Sequence, residues 1–175
     1  MKSDILIPEW YVLHTKSRFE NVVGEALLKK SKEIFLPKIT VQSRRKDRKK
    51  MIRVPLFPGY VFVKTDLEPR AHLDILKTAG AVQLIGDQKG PISVPEETII
   101  SLKIMADADE TLMTGSRFTA GDRVMVTGGP FAGVIGIFSR YKGLDRIIVN
   151  IDLLGQFAAA EVAESDVEKI PELSA

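Results

Sequence analysis

Apolar and polar positions alternate along Trp10-Tyr-Val-Leu-His-Thr15, a run rich in aromatic and β-branched residues, and predict a first strand. The period then changes. Phe19, Val22, Val23, Ala26 and Leu27 recur at helical spacing and predict an amphipathic helix to about Lys30, with Lys29 and Lys30 on its far side. Ser17 and Glu20 stand at capping-box spacing at its start. Ile34-Phe-Leu-Pro37 and Ile39-Thr-Val41 form a second extended segment, and the proline within it marks an edge. The stretch that organises the first half is Val54-Pro-Leu-Phe-Pro-Gly-Tyr-Val-Phe-Val63. Pro55 and Pro58 cannot donate to a ladder, so regular pairing starts at Tyr60. From there Tyr60, Phe62 and Lys64 point to one face, and Val61 and Val63 to the other. Both faces are apolar, so one belongs to the core and the other lies under a helix or a partner.

Residues 69–77 read as a short helix with proline at its start and Gly80 beyond its end, followed by a strand over residues 81–85. Ser93-Val-Pro-Glu96 is a second capping box, opening a helix to about Ala106. Strand, helix, two strands, helix, strand, helix is the order of an α+β domain with helices on a largely antiparallel sheet. Residues 107–117 are acidic, small and polar without a sustained period, and read as a linker. Beyond them, short β-rich runs at residues 124–127, 134–138, 146–152 and 158–162 alternate with glycine-containing turns and predict a small closed barrel.

Composition adds a charge asymmetry. The net charge is only +2, yet residues 1–106 hold 19 Lys/Arg against 12 Asp/Glu, while residues 107–175 hold 6 against 11. The first half suits a polyanion and the second a protein partner. Much of the excess lies in Arg44-Arg-Lys-Asp-Arg-Lys-Lys-Met-Ile-Arg53, seven basic residues and one acid at the tip of a predicted β-hairpin. A solvated loop that blunts a sheet edge is the plain reading of such a run. With Lys16, Arg18, Lys29 and Lys30 it gains a second one, a track for a phosphate backbone.

Enzyme chemistry has little to stand on. There is no cysteine, the only histidines are His14 and His72, and residues 128–136 carry neither the Gly-Lys-Ser/Thr of a P-loop nor a dinucleotide fingerprint. No catalytic role and no cofactor are expected. No apolar run reaches the length of a membrane span and no secretory h-region opens the chain, so a cytoplasmic protein is expected.

Leu56-Phe-Pro-Gly-Tyr-Val-Phe-Val63, preceded by Trp10-Tyr-Val-Leu and followed by Gly90-Pro-Ile92, resembles the amino-terminal domain of the NusG family of transcription elongation factors. Gly121-Asp-Arg-Val-Met-Val126, Gly129-Pro-Phe-Ala-Gly133 and Asp166-Val-Glu-Lys169 resemble that family's KOW module, an SH3-like barrel. The short link Ser31-Lys-Glu-Ile-Phe-Leu-Pro37 and the form Val54-Pro-Leu-Phe-Pro are similar to the specialised RfaH-type regulators within the family. The resemblance implies a polymerase-binding domain over residues 1–106, a linker over 107–117 and a KOW domain over 118–175. It implies that His14, Phe57, Pro58, Tyr60 and Phe62 form an apolar pocket for the clamp helices of RNA polymerase. An exposed aromatic face is what such a helix-in-groove contact requires.

By the same resemblance Lys16, Lys29 and Lys30 face the non-template DNA strand, with Arg18 a nucleic-acid candidate by charge, and Arg44, Arg45, Lys46, Arg48, Lys49 and Lys50 lie near the upstream duplex. Arg70, His72 and Asp74 approach the polymerase lobe across the cleft, although the relatives' threonine-rich motif is absent there. Phe131 and Leu154 match turn positions where relatives bind Rho or a ribosomal small-subunit protein. In some RfaH-type members the KOW domain refolds into a helical hairpin; Gly128, Gly129, Gly133, Gly136, Gly143 and Gly155 argue against a helical alternative here. The implied activity is suppression of pausing and termination by a monomeric factor. The rival is a ribosome-associated RNA-binding protein using KOW and the basic hairpin, against which the acidic second half counts.

Overall fold

The computed structural model describes residues 6–45, 49–108, 110–116 and 120–171. The opening alternation forms strand β1 (Glu9–Thr15) and the helical spacing after it forms α1 (Glu20–Lys29). Strand β2 (Glu33–Phe35) stops before Pro37, and β3 (Lys38–Gln42) turns back through a hairpin into β4 (Met51–Pro55). Strand β5 (Tyr60–Thr65) begins at Tyr60, after Pro58. Val54 and Pro55, however, expected to precede regular pairing, end β4 opposite Ile39 and Lys38, where the two-stranded ribbon asks no N–H of Pro55 on its outer side. Then come α2 (Pro69–Leu76), with proline in its first turn, β6 (Ala81–Leu84), and the two-residue strands β7 (Gly86–Asp87) and β8 (Gly90–Pro91).

The chain divides between Pro95 and Glu96 into two compact units. In the first, the sheet order is β2-β5-β1-β6 with every pair antiparallel, and β2 is the edge that its proline indicated. Strands β3 and β4 form a separate two-stranded ribbon. One sheet face packs Tyr11, Leu13, Val63 and Leu84 against Val23 and Leu27 of α1 and Ile75 of α2. Each such buried side chain contributes about 1.5–3 kcal/mol. Tyr11 donates its hydroxyl to Glu9 Oε2 at 3.2 Å; burial first, and the Glu9 carboxylate second, raise its pKa and keep it a neutral donor.

The capping box at Ser17 and Glu20 does not form. Helix α1 begins after Phe19 with no side-chain cap, and Arg18 takes a left-handed φ of 66°. Glu20 is buried instead, and its Oε1 accepts the Gly59 N–H at 2.7 Å. A carboxylate next to a loop donor satisfies a longer-range partner better than a backbone N–H already open to water.

The second unit consists of α3 (Glu96–Asp107) and strands β9 (Leu112–Ser116), β10 (Asp122–Val126), β11 (Ile135–Tyr141), β12 (Leu144–Ile151), β13 (Gln156–Glu161) and β14 (Val167–Lys169). Their sheet order is β14-β10-β11-β12-β13-β9. The α+β class holds, with helices and a sheet first and a strand-rich region after.

Two boundaries differ from the reading of the sequence. Helix α3, expected to close the first domain at residue 106, groups with the second unit. Its buried Ser101 Oγ accepts the Ile135 N–H at 2.9 Å and donates to the Ile135 carbonyl at 3.3 Å. The expected linker over 107–117 holds β9, paired with β13 from Leu112↔Ala160 to Ser116↔Gln156. Met113 packs on the cluster of Ile148, Phe157 and Ala159, and Gly115 makes room for the Phe157 ring, since a Cβ there would lie 2.6 Å from its Cζ. A strand with one glycine and two hydroxyl residues resembles a linker by composition; its partner is recognisable only through that ring.

Candidate functional site

The end of β1 and the start of β5 meet in register at His14 and Tyr60, whose rings stack with centroids 5.4 Å apart at 32°. Both are half-buried, and Pro58 beside them is exposed. The turn that delivers Tyr60 is held from two sides. Gly59, at φ +88°, donates its N–H to Glu20 and accepts the Thr15 N–H at 2.8 Å. Lys16 and Arg18 follow immediately, both exposed, with the Lys16 N–H on the Gly80 carbonyl at 2.8 Å.

Glu20 therefore positions the turn that carries the exposed ring pair. Glu20→Ala is expected to cost about 1–3 kcal/mol, because it leaves the Gly59 N–H unsatisfied. Glu20→Gln, which keeps an acceptor oxygen, is expected to recover most of that. Urea unfolding together with amide exchange at Gly59 checks both, and equal exchange rates in the alanine variant and the parent would refute the role.

The aromatic face is not exposed as predicted. Phe57 and Phe62 are 1% and 0% accessible. Phe62 lies between the ring of Phe35, at 5.8 Å, and that of Phe57, met edge-on at 6.4 Å and 77°, with Val12 opposite it across the strand pair. Phe35 and Phe57 each pack on Phe62, so the surface is His14, Tyr60 and Pro58 above an aromatic floor. Trp10 shares that sheet face, with Lys64 Nζ 5.8 Å from its ring centroid. The reading of the sequence missed Trp10, Phe35 and Glu20. Strand parity with His14 points to Trp10; Phe35 needs the β2–β5 register, and Glu20 carried a competing motif.

The basic residues separate. Lys29 is exposed at the end of α1, a ten-residue helix, about 15 Å from its start near Lys16 and Arg18. Lys30 Nζ donates to the Asp74 carbonyl at 2.8 Å and to Thr78 Oγ1 at 3.1 Å, joining the end of α1 to α2. Arg70 and Asp74 are exposed on α2 and His72 is half-buried. Arg44, Arg45, Lys49 and Lys50 are exposed around the hairpin tip, whose register closes at Gln42↔Met51, while Lys46 and Arg48 lie outside the described residues.

In the second unit Phe131 is buried, 4% accessible, and cannot be the exposed apolar contact expected of it. It sits at a tight turn where the Val134 N–H bonds back to the Phe131 carbonyl at 3.0 Å. Leu154 is half-buried on a 3-10 turn ended by left-handed Gly155. Among the described residues, no group of three or more His, Cys, Asp or Glu side chains is placed to hold a metal ion, and no helix is long and apolar enough to cross a membrane.

Residues 8–103 match the family model described as transcription termination factor nusG. The transcription termination/antitermination protein NusG of Pseudomonas aeruginosa is 30% identical over 174 residues, spanning 92% of this chain and 98% of its own. That of Helicobacter pylori is 27% identical over 173 residues, spanning 93% and 98%. The solved structure of Thermotoga maritima NusG shares the fold, with a TM-score of 0.56 at 24% identity over 94% of this chain and 98% of that one. The chain belongs to the NusG family of transcription termination/antitermination factors.

Proposed function

We propose that this factor binds the clamp helices of RNA polymerase through His14, Tyr60 and Pro58, in the cytoplasm and as a monomer. The observation that carries the reading is the half-exposed His14–Tyr60 pair on a rigid aromatic floor. Two aromatic rings whose backbone is held by Glu20 and Thr15 lose little entropy when a helix packs on them. Lys16, Arg18 and Lys29 would then follow the non-template strand, and Lys49 and Lys50 of the hairpin tip the upstream duplex. The exposed side of α2 at Arg70 would reach across the cleft. Holding both sides of the cleft favours the closed clamp and disfavours the opened states that precede pausing. Each kcal/mol of preference changes pausing about fivefold. The strand-rich unit, with Leu154 as its accessible apolar contact, would recruit Rho or a ribosomal small-subunit protein. The short link after α1 supports a specialised, RfaH-like role.

Titrating the full chain with a clamp-helix fragment and, separately, with ribosomal RNA tests this. Clamp binding is the expected result. Tight RNA binding without clamp affinity would replace the reading with that of a ribosome-associated protein.

A further inference from the structure

The β3–β4 ribbon pairs Ile39 with Val54 and Val41 with Ile52, so four β-branched side chains form a stripe on one of its faces. Lys38, Thr40, Gln42, Met51 and Arg53 take the other. Among the described residues the ribbon has no third strand. A two-stranded ribbon is marginal in water unless its apolar face is packed against something. Yet a cleft of about 660 Å³ opens at the outer end of this stripe, walled by Val41, Ile52 and Val54 and flanked by Ser43, Arg44 and Arg45. Ile52 at its mouth is 37% accessible, and both arginines are exposed.

Two kinds of polyanion could answer the arginines. Among the described residues no aromatic ring lines the cleft, so an unstacked nucleobase finds no platform on them. Phosphates would satisfy the guanidinium groups and leave the aliphatic walls wet. Branched apolar side chains fill such walls well, and carboxylates beside them pair with guanidinium groups in two-point geometry. We infer that this cleft docks a short acidic segment of a partner protein, with branched aliphatic residues seated on Val41, Ile52 and Val54 and flanking carboxylates on Arg44 and Arg45. Lys49, Lys50 and Arg53 remain available to nucleic acid.

The test uses the full chain and a labelled peptide with a Leu-Val-Ile centre flanked by Asp and Glu, beside the same centre flanked by Lys. Fluorescence anisotropy is expected to show binding of the acidic peptide alone. Ile52→Ser should weaken it about tenfold, the weight of one buried aliphatic side chain. Val41→Thr with Ile52→Thr, which keeps β-branching and hence the ribbon, should weaken it similarly. Arg44→Glu with Arg45→Glu should abolish acidic-peptide binding and admit the lysine-flanked one. The inference fails if neither peptide binds, or if the serine and threonine variants bind like the parent, which would reduce the contact to bulk charge. It also fails if a DNA oligonucleotide competes with the peptide and is itself weakened by Ile52→Ser. Sedimentation showing self-association lost in the threonine variant would assign the face to a second copy and overturn it equally.

Discussion

Phe62→Ala is expected to lower the stability of the first unit by about 3–5 kcal/mol, the usual cost of emptying a buried phenylalanine site. The size follows from its surroundings. Phe62 is fully buried on the central part of β5, touched by Phe35 and Phe57 and faced by Val12, and none of these can close a ring-sized cavity without leaving its own packing. The chain provides its own reporter, since its single tryptophan, Trp10, lies on the same sheet face. With a urea slope of about 2 kcal/mol per molar, the Trp10 fluorescence midpoint should fall by about 2 M. Leu28→Ala, at a position 56% accessible, should hardly move it. Equal shifts in the two variants would mean that the aromatic floor is not part of the core.

That expectation reverses what strand parity alone suggests. Alternation correctly put Phe62 with Tyr60 and opposite Val63, and the prolines correctly set the start of β5. Parity assigns a side chain to a face and says nothing about what covers that face. The cover comes from Phe35 on β2 and Phe57 in the preceding turn, and only the register of a distant strand brings the first of them in. Helices α1 and α2 and the hairpin were legible because their signals are local: apolar spacing, a first-turn proline, a charged tip between two extended runs. Strand β9 was not, because its support is the Phe157 ring packed over Gly115, far along the chain. Glu20 was misread for a related reason. A Ser-x-x-Glu spacing is equally compatible with a carboxylate facing away from its helix, and the competing donor, Gly59, is distant in sequence.

His14→Ala combined with Tyr60→Ala is expected to weaken binding to a clamp-helix fragment about thirtyfold or more, roughly 2 kcal/mol, while leaving the fold intact. The two changes belong together because the rings stack on each other, and removing one leaves its partner free to cover part of the gap. Their half-exposure makes the experiment interpretable where a Phe62 variant is not. The urea midpoint read from Trp10 should drop by far less than in Phe62→Ala, so lost binding would reflect a lost contact and not an unfolded domain. Glu20→Ala supplies an intermediate case, with both rings present on a loosened turn; it should bind more weakly than the parent and more tightly than the double variant. A double variant that binds the clamp fragment like the parent would refute the surface assignment, and would return the His14–Tyr60 pair to a packing role at the end of the sheet.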